Sequence, residues 1–154
     1  MKNKDILIIA QLRRNARLQL TDISSRTGIP ISTVYDRIKG YAGRSVKKYA
    51  AILDFPELGF PITAHATFAV EKTQKAEFGG HLTRHPNVNS VYRINNGHDF
   101  MAEVIYPDIS GLESFMDRLH ERFKIRDKKV YYVVDELKKE EFLNDAKMLP
   151  EMPT

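Results

Sequence analysis

The sequence contains no cysteine. That removes disulfides, thiolate catalysis and thiolate metal sites together, so stability has to come from packing or from association between chains. It has no apolar run approaching a bilayer span, and Met1-Lys2-Asn3-Lys4-Asp5 leads into a mixed segment rather than a signal-peptide core. These features read as a cytoplasmic protein without a membrane partner. A Gly-x-Ser-x-Gly elbow, a Walker loop and a dinucleotide fingerprint are also missing, and Gly79-Gly80 falls inside a helical pattern instead of following a strand. No catalytic residue, cofactor or metal set emerges. His81 and His85 have the i, i+4 spacing of zinc ligands, but with no third ligand evident they read as a solvated helix face.

What is present is an ordinary globular composition with an uneven charge. The chain is 42% hydrophobic and 29% charged over 154 residues. Up to Ile52 there are eleven Lys/Arg against three Asp/Glu, and from Leu53 onward thirteen against seventeen. A compact basic module joined to an acidic one suits a head that binds a polyanion, because neutralising phosphates needs Lys and Arg gathered on one surface.

Asp5 predicts the cap of a first helix with Ile6, Ile9, Ala10 and Leu12 at helical spacing, closed by Arg13, Arg14 and Asn15. Thr21 predicts the cap of a short second helix carrying Ile23 and stopped by Gly28. A third helix is expected from near Ser32, with Val34 and Ile38 inward and Thr33, Tyr35, Asp36, Arg37 and Lys39 outward. Two short helices around a tight Gly-containing turn, the second polar, basic and aromatic outside, outline a helix-turn-helix. Small hydroxyls such as Ser32 and Thr33 let a helix N-terminus approach a groove; Tyr35 reaches sugar or a thymine methyl, and Arg37 and Lys39 reach phosphates. Gly40, Gly43 and Arg44-Ser45 break the helix, and a basic-to-apolar strand is expected over 46–53, forming a wing. There Arg44, Lys47 and Lys48 either contact the DNA backbone or are merely solvated. The reading is a winged helix-turn-helix domain over 1–52 and a Pro/Gly-rich connector over 53–61.

Beyond the connector the period changes. Ile62, Ala64, Ala66, Phe68 and Val70 alternate with polar residues as in a half-buried strand. A helix is expected over 75–85, then a strand with Val88, Ser90, Tyr92 and Ile94 alternating, an Asn96-Gly97 hairpin turn, and a third strand with Phe100, Ala102, Val104 and Tyr106. A long amphipathic helix capped by Asp108 or Ser110 carries Ile109, Leu112, Phe115, Met116, Leu119 and Phe123, and a fourth strand is expected over 129–137. The order βαββαβ gives a ferredoxin-like α+β domain over 62–143, with both helices on one sheet face, followed by a tail over 144–154. The second face, expected to be apolar, calls for another copy of the chain, and a two-fold dimer suits two recognition helices reading a palindrome in double-stranded DNA.

The chain resembles the Lrp/AsnC (leucine-responsive regulatory protein and asparagine-operon regulator, or feast/famine) family. In the head the resemblance is carried by Asp5, Ile8-Ile9, Leu12, Asn15-Ala16-Arg17, Ile23, Gly28-Ile29, Val34 and Arg37-Ile38. In the body it is carried by Leu53-Asp54, Leu58-Gly59, Pro86-Asn87-Val88, Tyr92-Arg93, Gly97-His98-Asp99-Phe100 and Leu112 with Phe115. It implies a DNA-binding transcription regulator with a RAM-type ferredoxin-like domain. It also implies connector strands paired between subunits, homodimers that assemble further, often to octamers, and an amino-acid or related effector bound near the second hairpin turn. On this chain that turn is Asn95, Asn96, Gly97, His98 and Asp99. Asp99 can hold an α-ammonium while backbone N–H groups around Gly97 meet a carboxylate, or the turn is only a hairpin with Asp99 as its hydrogen-bonding partner. The chain departs from the family pattern at 39–45, which replaces the usual leucine, acidic run and glycine, and at Pro30, where a serine cap is common. Two other readings fit the same architecture: an enzyme of the siroheme-decarboxylase kind, and a metabolite-sensing partner protein that does not touch DNA.

Overall fold

The computed structural model describes residues 3–145. They divide into two compact units, one built from the chain up to Ile52 with the segment that begins at Leu137, the other from Leu53–Glu136. In the first, α1 (Asn3–Arg14), α2 (Leu20–Thr27) and α3 (Ile31–Tyr41) close around Ile8, Ile9, Leu12, Ile23, Ile29, Val34 and Tyr41. The helical spacing of these apolar residues puts one stripe of each helix inside.

Three local expectations change here. Asp5 is not the cap of α1: the helix begins two residues earlier, and Asp5 is buried in its first turn. Thr21 does not cap α2, which follows Gln19 without a side-chain cap bond. Gly40 does not end α3, which runs to Tyr41. The buried Tyr41 ring and its hydroxyl bond to Asp5 outweigh the roughly 1 kcal/mol a helical glycine costs. Gly28 does stop α2, in the left-handed region at φ 67°, with its N–H donating to Ser24 O.

After α3 the chain makes a tight turn in which Gly43 N–H donates to Val46 O and Val46 N–H to Tyr41 O. The strand expected over 46–53 is not formed within the chain. The backbone there finds no ladder among the described residues, and Tyr49, Ile52 and Leu53 stay exposed. The segment after Leu137 packs with the head: Arg13 Nε donates to Phe142 O at 3.0 Å and its guanidinium pairs with Glu140. From residue 146 the tail expected over 144–154 lies outside the described residues.

The second unit has β1 (Ile62–Val70), α4 (Lys75–Arg84), β2 (Val88–Arg93), β3 (Phe100–Tyr106), α5 (Ile109–Arg122) and β4 (Ile125–Tyr132). The sheet is antiparallel in the order β2-β3-β1-β4, the expected ferredoxin-like arrangement. Ala64, Ala66, Phe68 and Val70 of β1 and Phe100, Ala102, Val104 and Tyr106 of β3 meet Phe78, Leu82, Leu112, Phe115, Met116 and Leu119 of the helices. Asp108 caps α5, accepting from Gly111 N at 2.7 Å; Ile109 stays exposed.

Two strands differ from expectation. β4 begins at Ile125, ahead of the expected 129–137, because its start is written in charged residues, Arg126-Asp127-Lys128-Lys129, on an edge strand where few side chains are buried. In β2 a bulge between Val88 and Ser90 breaks the expected alternation, so that Val88 and Val91 face the core while Ser90 and Tyr92 share the other face. That other sheet face is not the apolar surface expected. It carries Thr63, His65 and Thr67 of β1, Met101 and Glu103 of β3, and the exposed rings of Tyr92 and Tyr131. Among the described residues no helix is long and apolar enough to cross a membrane.

Candidate nucleic-acid interface and effector turn

The turn between α2 and α3 is fixed from both sides. Ser24 Oγ donates to Ile29 O at 2.6 Å, and Ile29 is buried, so the entry to α3 is tied to the body of α2. Pro30 precedes α3 and supplies no side-chain cap bond. The first intrahelical donor is Val34 N–H, to Pro30 O, which leaves the N–H groups of the first turn without helical partners. Such a helix start receives a phosphate well.

Ser32, Tyr35, Asp36 and Lys39 lie exposed on α3, with Tyr35 51% exposed, and Thr33 is half-buried beside them. Arg37 has a different job. Its NH1 donates to Asp5 Oδ1 at 2.8 Å, and Tyr41 Oη donates to the same oxygen at 2.7 Å. Burial, reinforced by the Asp5 carboxylate and opposed by Arg37, pushes the Tyr41 hydroxyl well above its usual range, so Tyr41 remains the donor. The Arg37 guanidinium therefore pins α3 to α1. Asp5 and Tyr41 belong to this scaffold too, and the pairing escaped the sequence reading because thirty-two residues separate Asp5 from Arg37. Arg44, Lys47 and Lys48 are exposed on the turn after α3 and the extended segment beyond it.

In the second unit the 95–99 turn reverses the chain between β2 and β3. Asn96 at φ 64° and Gly97 at φ 92° are both left-handed, which asparagine tolerates and glycine adopts freely, and Ile94 N–H donates to Asp99 O to close the loop. Asn95, Asn96 and Gly97 face outward; His98 and Asp99 turn in. Asp99 N–H donates to Phe68 O, while its carboxylate accepts from Val70 N–H at 2.9 Å and from Lys75 Nζ. Burial works against the Asp99 charge, but the Lys75 and Val70 bonds and the Lys75 and Arg126 charges hold its carboxyl below the usual range. Asp99 thus joins β3, the end of β1 and the start of α4, and an ammonium reaching it would compete with Lys75. His98 Nε2 lies 3.2 Å from Asp127 Oδ2, close in distance but not aligned for a hydrogen bond. Among the described residues no three His, Asp or Glu side chains gather as a metal site.

Comparison with known proteins matches residues 63–143 to the Lrp/AsnC ligand binding domain and residues 1–39 to a winged helix-turn-helix DNA-binding domain. The HTH-type transcriptional regulator FL11 of Pyrococcus furiosus is 28% identical over 114 residues, 73% of this chain and 76% of that protein. The transcriptional regulator AzlB of Bacillus subtilis is 23% identical over 116 residues, 73% of this chain and 74% of its own. Among solved structures, a transcriptional regulator of Neisseria meningitidis in complex with L-Met superposes with a TM-score of 0.84 at 22% identity, covering 90% of this chain and 93% of that one. LrpC of Bacillus subtilis superposes with a TM-score of 0.82 at 18% identity, covering 90% and 97%. With a helix-turn-helix whose third helix is pinned at its base and polar on its outer face, and a ferredoxin-like domain behind it, this chain belongs to the Lrp/AsnC family of DNA-binding transcription regulators.

Proposed function

We propose that the chain reads a palindromic site in double-stranded DNA as a homodimer, and that an amino acid or related small metabolite bound at the 95–99 turn modulates it. The observation that carries the reading is the exposed outer face of α3, with Ser32, Thr33, Tyr35, Asp36 and Lys39, on a unit with eleven cations against three anions up to Ile52. Ser32 and Thr33 sit beside the free N–H groups that start α3 and suit a phosphate; Tyr35, Asp36 and Lys39 extend toward base edges and backbone. Arg44, Lys47 and Lys48 add phosphate contacts that strengthen binding without selecting sequence. Arg37 contributes through the pose of the helix.

Two features support the dimer. The 47–53 backbone has no ladder among the described residues and exposes Tyr49, Ile52 and Leu53, and the same segment of a second copy would supply both hydrogen bonds and apolar cover. The sheet face with Thr63, His65 and Thr67 also carries the exposed rings of Tyr92 and Tyr131, which a second copy would cover. Dimers formed this way leave the 95–99 turns free to meet in a higher assembly, where the outward Asn95, Asn96 and Gly97 of one chain complete a site with a neighbour. The L-Met held by the Neisseria relative favours an amino acid as the ligand class. In that site the turn's backbone N–H groups receive the carboxylate, and Asp99 positions the turn.

Anisotropy titrations on labelled DNA at two salt concentrations test the reading. Lys47→Ala is expected to weaken all sequences alike and to lower the salt slope by about one. Tyr35→Ala is expected to change the preferred site. Binding that ignores salt and both substitutions would overturn it.

A further inference from the structure

The helix face of the second unit holds a cleft of about 370 Å³ lined by His81, His85, Phe115, Arg118, Glu121 and Arg122. We propose that this cleft between α4 and α5 binds a small metabolite carrying an oxyanion, a carboxylate or a phosphate ester, at a site separate from the 95–99 turn. The volume lies within the range of small-molecule sites.

The lining presents donors. His85 Nδ1 accepts from Asn87 N–H at 3.2 Å, so the neutral ring carries its proton on Nε2. His81 Nδ1 lies 3.5 Å from Arg122 NH1, a long contact in which the guanidinium can only donate. Burial, with Arg122 and Arg84 acting on His81 and with His81 and Arg118 acting on His85, keeps both imidazoles below their usual range; Glu77 opposes this only at His81. Both rings are therefore neutral N–H donors near neutral pH. Arg122 NH2 is bonded to Glu77 at 2.9 Å, whereas Arg118 makes no ion pair among the described residues. Two guanidiniums and two imidazole N–H groups face one lining carboxylate, Glu121.

Phe115 brings an aromatic edge to the lining. His85 lies 4.6 Å from Phe115, and Phe115 lies 5.8 Å from Tyr106, ring centre to ring centre. Behind the lining, Tyr106 carries a hydroxyl that is buried and lacks a hydrogen-bond partner among the described residues. Guanidinium and imidazole donors beside an aromatic ring suit a compact organic anion with its charge on Arg118. They do not suit a metal cation, which two guanidiniums would repel and for which no third ligand is present among the described residues.

The test is titration of the full chain, without DNA, with sodium succinate and separately with inorganic phosphate. Binding is followed by calorimetry and by NMR of the histidine ring nitrogens. At least one anion is expected to bind with a dissociation constant of about 1 mM or tighter and to move the His81 and His85 signals. Response to succinate alone assigns a carboxylate, and response to phosphate alone assigns a phosphate ester. Arg118→Gln, at an exposed position outside the core, is expected to weaken binding at least about tenfold, and Arg122→Gln to do likewise. The proposal is overturned if neither anion moves the histidine signals, or if Arg118→Gln and Arg122→Gln bind as the parent does. None of these results bears on DNA binding, which is measured separately.

Discussion

Arg37 on α3 donates across 2.8 Å to the carboxylate of Asp5 on α1, whose side chain is 10% exposed. An ion pair at this depth is sensitive to the loss of either partner, since the survivor keeps a charge in a site that has excluded most of its water. The pair, with Tyr41 on the same oxygen, sets how far α3 stands out from the head.

Asp5→Ala is therefore expected to lower the stability of the head by about 1–3 kcal/mol, short of a fully buried pair because the Arg37 side chain stays partly solvated. Arg37→Ala should cost a comparable amount and weaken DNA binding through the pose of α3. Denaturant unfolding of both single variants and the double variant checks this. Coupling between the two substitutions is expected, and simple additivity would contradict the pairing.

His81 of α4 and His85, which caps its C-terminus, make stability depend on pH. Burial, chiefly, depresses their folded values below the ordinary 6.5, so the unfolded chain takes up protons first as pH falls. Their contribution is complete above pH 6.5 and is lost as pH drops through the lower folded values. Melting temperatures are expected to fall on acidification below pH 6.5, and His81→Gln with His85→Gln should flatten that part of the profile. A profile unchanged in the double variant would assign the acid sensitivity elsewhere.

At the 95–99 turn, Gly97 has φ 92° with open space where a Cβ would lie, so Gly97→Ala meets backbone strain alone. A cost of about 1 kcal/mol is expected. Asp99→Asn should cost more, because it removes the negative charge that pairs with Lys75 and weakens the bond from Val70 N–H that ties the start of β3 to β1. Thermal melts of the two variants rank these effects, and a Gly97→Ala variant less stable than Asp99→Asn would contradict the assigned roles.

The sequence was most legible where period and chemistry agree. The alternation of Ala64, Ala66, Phe68 and Val70 and the i, i+3, i+4 spacing of Leu112, Phe115, Met116 and Leu119 announce their elements, and every one of these side chains is buried. Asn96-Gly97 announced its turn. The start of β4 is not legible because an edge strand buries little and need not alternate, and the β2 bulge is not legible because a register shift depends on the partner strand. In the candidate sites, residue type indicated which side chains were polar and basic but not which were already engaged. Arg37 reads as a phosphate-reaching group, and Asp99 reads either as an ammonium partner or as the turn's own hydrogen-bonding residue; Asp5 and Lys75 engage them through contacts across thirty-two and twenty-four residues. The 46–53 segment has strand composition, but a strand needs a neighbour, and the described residues of one chain do not supply it.

The measurement that tests the account most directly is selection of bound sites from a random double-stranded DNA library at two salt concentrations, with the mass of the bound complex determined on the enriched DNA. The expected result is a palindrome with half-sites about one helical turn apart, bound by an even number of chains, with affinity falling steeply as salt rises. Enrichment of no sequence, with weak binding by single chains, would contradict the account.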